Sequence, residues 1–166
     1  MATSRKPARP HALATLAIHG GEGPHAPGDP VVPPLVQSVN YVQEPGGDDN
    51  LMYTRYGNTP NADRIQKRIA LLEGAEAALM LASGMGATAC GLLALLRPGD
   101  HLLASQFIYG GTNRLFTEEF TQMGINVTLV DPFEPRAWRR RLRKETRAIF
   151  IESPVNPTCR VLDMRG

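Results

Sequence analysis

At 166 residues the chain is long enough for one ordinary domain or for part of a larger one. Hydrophobic residues at 42% suffice for a buried core, and a net charge of +2 excludes both global disorder and the strongly basic footprint of a dedicated nucleic-acid binder. Two cysteines, Cys90 and Cys159, make neither a disulfide framework nor a zinc pattern, so reduced thiols in a cytoplasmic protein are the simpler reading.

Nine of the 14 prolines fall in residues 1–60, which marks an extended, loop-rich amino-terminal arm. Arg5, Lys6 and Arg9 precede the first acidic residue, Glu22, as in a targeting segment. The apolar run Ala12 to Ile18 is at the shortest limit of a signal-peptide core and fits a short helix better. Glu44-Pro45-Gly46-Gly47-Asp48-Asp49 is a turn cluster. An arm of this kind packs little of itself and is expected to lie on a partner subunit or on another part of its own chain.

The texture changes after residue 58, which divides the arm and its last loop (1–58) from an α/β segment (59–166). Thr59-Pro60 starts a helix whose apolar face is Ile65, Ile69 and Leu72, and Gly74 ends it. The spacing then predicts a buried strand over Ala77–Ala82 and an apolar helix over Met85–Leu96, with Cys90 in its core. A strand at His101–Ala104, a helix at Thr112–Met123 and a strand at Asn126–Val130 follow. A basic helix over Pro135–Arg143 and a strand over Arg147–Ile151 complete the pattern. Strand alternating with helix across short links is the pattern of a parallel sheet. The uncharged stretch Ala77 to Leu96 is interrupted by Ser83-Gly84-Met85-Gly86, so strand, turn and helix explain it better than a membrane span.

Four constellations carry possible chemistry. Tyr53-Thr54-Arg55-Tyr56-Gly57-Asn58 puts a guanidinium between two phenols, suited to phosphate or carboxylate, though taken alone simple loop packing is its plainer reading. Ser83-Gly84-Met85-Gly86 lies between strand and helix, where free N–H groups seat a phosphate or merely make a tight turn. Tyr109-Gly110-Gly111-Thr112-Asn113-Arg114 repeats that placement, with Tyr109 either an aromatic platform or a core residue, and Arg114 one turn in. Glu152-Ser153-Pro154-Val155-Asn156-Pro157 follows the last strand at its carboxyl end, where open sheets bind ligands, though it also reads as a proline-rich turn. His11, His19, His25 and His101 have no metal spacing. The arginines from Arg136 to Arg147 make a basic patch whose plain reading is a solvated face.

Taken in order, these four motifs resemble the Cys/Met-metabolism family of pyridoxal-phosphate enzymes, from about Leu16 to the end of the chain. The resemblance implies the aspartate-aminotransferase-like fold (fold type I), pyridoxal 5'-phosphate as cofactor, an amino-acid substrate and a homodimer or homotetramer. It implies that Tyr53 and Arg55 reach the phosphate of a neighbouring subunit's cofactor, and that the N–H groups of Gly84 and Met85 bind phosphate in their own subunit. Tyr109 would stack on the pyridine ring and assist proton transfer, Asn156 would contact the ring-hydroxyl side, and Arg114 matches a substrate-contacting arginine. Thr59-Pro60 departs from the Pro-Thr of many members. The family's Schiff-base lysine matches none of Lys6, Lys67 and Lys144, so the chain resembles an amino-terminal fragment, expected to be inactive alone. The expected chemistry is γ-replacement on an activated homoserine, with C–S lysis as the alternative and a non-catalytic partner subunit as the rival from another class.

Overall fold

The computed structural model describes residues 12–43, 45–46 and 52–164. Arg5, Lys6, Arg9 and His11, and most of the turn cluster at 44–49, lie outside the described residues. The chain forms two compact units, Met1–Met80 and Leu81–Gly166.

In the first unit α1 (Leu13–His19) packs against α2 (Pro60–Glu73). Thr59 is the residue before α2, Pro60 opens it, and Gly74 closes it in the left-handed region at φ 62°. The expected apolar face of α2 is only half right. Ala62 and Ala70 are its buried residues, while Ile65 and Ile69 remain 45% and 47% exposed. Polar side chains of α2 hold the arm instead. Asn61 Oδ1 accepts the Val36 N–H at 3.1 Å and its Nδ2 donates to the Val36 carbonyl at 2.9 Å. Arg68 donates to the Gly20 carbonyl at 3.1 Å and to Glu22 at 2.8 Å. The arm itself leaves Val31, Val32, Leu35 and Val42 exposed, as expected of a segment that packs little of itself.

In the second unit three parallel strands stand in the order β2-β1-β3: β1 His101–Ser105, β2 Asn126–Val130 and β3 Thr146–Phe150. The central strand β1 is buried at every position, as a parallel strand covered on both faces must be. Helix α3 (Gly84–Leu95) precedes β1, α4 (Gly110–Arg114) links β1 to β2, and α5 (Pro135–Arg141) links β2 to β3. Helix α4 continues as a π-helical stretch over Leu115–Phe120. That stretch delivers Phe116 and Phe120, stacked at 5.5 Å, into a core with Leu92, Leu96, Leu102, Ala104, Ile108 and Ile125.

His101 begins β1 and is fully buried. Its Nδ1 lies 2.7 Å from the Thr146 hydroxyl on β3, and its Nε2 lies 2.9 Å from the Thr128 hydroxyl on β2. One imidazole thus ties all three strands at the amino-terminal end of the sheet. Burial lowers its pKa, and the nearby Arg143 guanidinium lowers it further, against the weaker opposite pull of Glu145.

Three sequence expectations need correction. Ala77–Ala82 forms no strand, because no described strand lies beside it to complete a ladder, and Leu79 and Met80 are exposed. Cys90 is exposed rather than core: α3 is apolar all round, and Leu92 is its buried residue. The basic helix expected to reach Arg143 ends at Arg141. No helix among the described residues is long and apolar enough to cross a membrane.

Candidate functional site

The residues that could hold a ligand in the second unit gather where α3 and α4 begin. Ser83 precedes α3 in extended conformation, and its Oγ accepts the Gly86 N–H at 3.0 Å. This cap leaves the N–H groups of Gly84 and Met85 without an intrahelical acceptor, at the positive end of a twelve-residue helix. A Cβ placed on Gly84 would meet nothing within 4 Å, and Gly84 is exposed.

Tyr109 stands just ahead of α4 and is 52% exposed, so it is not a core residue. Its ring rests on Gly111, where a Cβ would come within 2.6 Å of Tyr109 Cε1 and 3.3 Å of Met85 Sδ. Thr112 Oγ1, buried, donates to the same Met85 sulfur at 3.6 Å. Gly84, Met85 and Tyr109 are therefore brought together by packing between the starts of α3 and α4.

Glu152 follows β3 and accepts the Tyr109 backbone N–H at 2.8 Å. Sequence reading placed its weight on Asn156 in this loop and gave no role to Glu152, nor to Gly111 and Thr112. No local signal marks Glu152, because the contact spans 43 residues and serves the N–H of Tyr109 itself rather than the free N–H groups of α4. Asn156 is exposed in a turn after buried Val155. Arg114 is exposed and paired with Glu118 at 2.9 Å, an ion pair that raises the guanidinium pKa, chiefly through the hydrogen bond.

Tyr53 and Arg55 belong to the first unit. The loop folds through a 3-10 turn, Thr54–Tyr56, and Gly57 turns the chain at φ 67°. Asn58 Oδ1 closes it by accepting the Tyr53 N–H at 3.0 Å, and Asn40 bridges Tyr53 from the other side. The Arg55 guanidinium stands 5.4 Å from the Tyr53 ring centroid, exposed and without an anionic partner among the described residues.

An aromatic face beside helix-start N–H groups that have no intrahelical acceptor, at the carboxyl edge of a parallel sheet, suits a planar ligand that carries a phosphate. Pyridoxal phosphate is such a ligand, and the donor set fits it. The parallel sheet with these helices is part of an α/β domain of the aspartate-aminotransferase-like class. The family model "Cys/Met metabolism PLP-dependent enzyme" matches residues 14–166, and the chain belongs to that family. It is 35% identical over 170 residues to cystathionine gamma-lyase of Bos taurus, covering 97% of this chain and 42% of the relative. It is 37% identical over 148 residues to a probable cystathionine gamma-synthase of Herpetosiphon aurantiacus, covering 89% and 46%. Among solved structures, cystathionine gamma-lyase from Lactobacillus plantarum complexed with L-serine superposes with a TM-score of 0.79 at 30% identity, over 92% of this chain and 39% of that one. The chain thus spans less than half the length of the relatives it matches.

Proposed function

We propose that the protein serves sulfur amino-acid metabolism, replacing or eliminating a group at the β or γ carbon of an amino acid, with γ-replacement on an activated homoserine as the first reading. The observation that carries a cofactor at this site is the half-exposed Tyr109 ring, seated on Gly111 beside the N–H groups of Gly84 and Met85. When bound, pyridoxal phosphate supplies an electron sink for bond breaking next to an amino group.

In this reading the chain's own residues divide the work. Gly84 and Met85 donate backbone N–H groups to the phosphate. Tyr109 lies against the pyridine face, and its phenol takes or returns a proton at the substrate. Asn156 meets the ring-hydroxyl side, and Arg114 leaves Glu118 to hold the substrate carboxylate. Tyr53 and Arg55 serve the cofactor phosphate of a neighbouring subunit, which makes residues 1–58 an inter-subunit arm and 59–166 the first part of the cofactor-binding domain. Such an enzyme would work in the cytoplasm as a homodimer or homotetramer.

A C–S lyase is the second reading, favoured by the relatives that bear lyase names. Full-length protein given an O-acyl homoserine with cysteine, and separately cystathionine, distinguishes the two. Net cystathionine formation supports γ-replacement. Release of ammonia and a keto acid from cystathionine supports the lyase. Loss of neither substrate, with cofactor bound, overturns both.

A further inference from the structure

Tyr109 has few local reasons to hold one orientation. Its ring is half exposed, two flexible glycines follow it, and its side chain makes no capping bond to α4. In a capping box the third helical residue is a Glu or Gln that reaches back to the N–H of the residue before the helix. Here that third residue is Thr112, whose hydroxyl is turned to Met85 Sδ. The Tyr109 N–H goes instead to Glu152 Oε2 at 2.8 Å, from 43 residues further along the chain.

We propose that Glu152 is a positioning residue for Tyr109: a carboxylate at the end of β3 that performs the capping-box contact from a distant strand and so sets the ring over Gly111. The carboxylate sits two residues beyond Phe150, which is paired with Ala104 of β1. The contact therefore refers the Tyr109 backbone to the sheet rather than to its own glycine-rich loop. It is charge-assisted, the stronger kind of hydrogen bond. Its function rests on the reading of Tyr109 as the cofactor's platform, but the contact itself can be measured without cofactor.

The test uses full-length protein in two arms. In the first, amide hydrogen exchange is read at Tyr109 in cofactor-free protein, with Leu103 in β1 reporting that each variant is folded. Glu152→Ala should speed exchange at Tyr109 by about tenfold or more, the effect of losing a hydrogen bond to a charged acceptor. Glu152→Gln, which keeps an acceptor oxygen, should restore most of the protection. Unchanged exchange in Glu152→Ala overturns the proposal. In the second arm, pyridoxal-phosphate affinity is measured by dialysis for Glu152→Ala, Tyr109→Ala and the double variant. Glu152→Ala should weaken affinity by roughly tenfold when Tyr109 is present and hardly at all when it is absent, the non-additivity expected of residues that act through one another. Equal losses on both backgrounds overturn the positioning role. If Tyr109→Ala costs no affinity, the platform reading fails instead, and the exchange arm alone then decides whether Glu152 holds Tyr109.

Discussion

The ring of Tyr109 occupies the space where a side chain on Gly111 would begin: a Cβ there would lie 2.6 Å from Tyr109 Cε1. No carbon pair tolerates that distance, so the ring can rest in its place only because residue 111 is glycine. The same Cβ would lie 3.3 Å from Met85 Sδ, so there is little room to yield toward α3.

Gly111→Ala is accordingly expected to swing the Tyr109 ring outward. Because the ring is half exposed, the cost in stability should stay below the ~1–3 kcal/mol of an overpacked core. Cofactor affinity should fall clearly while the melting temperature changes little. A variant that keeps full affinity would show that the ring's placement over Gly111 is not what the cofactor needs.

Tyr109→Phe separates the ring from its hydroxyl. The aromatic face survives, so cofactor affinity should stay near that of the unaltered protein. Turnover should drop by about 10²-fold or more, the usual worth of a positioned acid or base. Steady-state kinetics on full-length protein check this, and full activity would remove the phenol from proton transfer.

The sheet and its helices were largely legible because their signals are local. The predicted strands match β1, β2 and β3 to within a residue at either end, and Thr59-Pro60 with Gly74 delimits α2. What failed depended on neighbours far along the chain. Ala77–Ala82 has strand composition, but a strand is made by its partner. Cys90 sits in an apolar helix, yet burial depends on which face is covered. The Ser83–Gly86 and Tyr109–Arg114 motifs were visible because glycines ahead of a helix are a local device. The grip of Glu152 on Tyr109 spans 43 residues and obeys no spacing rule, so only the fold reveals it.

Arg55→Ala addresses the first unit. The guanidinium is exposed, stands over Tyr53 and has no anion among the described residues, as a group waiting for an external phosphate would. If it serves a neighbouring subunit's cofactor, its loss should weaken retention by ~1.5–3 kcal/mol, the value of a charge-assisted hydrogen bond. Dialysis of the full-length variant measures this. Arg55→Lys should recover only part, because an ammonium lacks the planar fork. Undiminished retention in Arg55→Ala would remove the arm from cofactor binding.

His101 predicts how stability responds to acid. Its pKa in the folded protein lies below the ordinary 6.5, because burial and then Arg143 disfavour the charged ring. Between the folded and unfolded values the unfolded chain binds the extra proton and the folded chain does not. Stability must therefore fall as pH drops from about 6.5 toward the folded value, and be insensitive to this group above that range. Glu22 acts in a lower window. Its hydrogen bond to His19 holds its carboxyl below 4.5, so the stability it contributes is lost only on further acidification. His101→Gln removes the titration while keeping an amide that reaches one of the two threonines. Thermal melts of full-length protein at pH 8 should show the variant weaker by ~1–3 kcal/mol, since Thr128 or Thr146 is left without its ring partner in the sheet. Between pH 6.5 and 5 the gap should narrow, because only the unaltered protein has the buried imidazole to lose. A gap that stays constant with pH would mean that His101 titrates alike in both states and that the three-strand tie is not sensitive to acid.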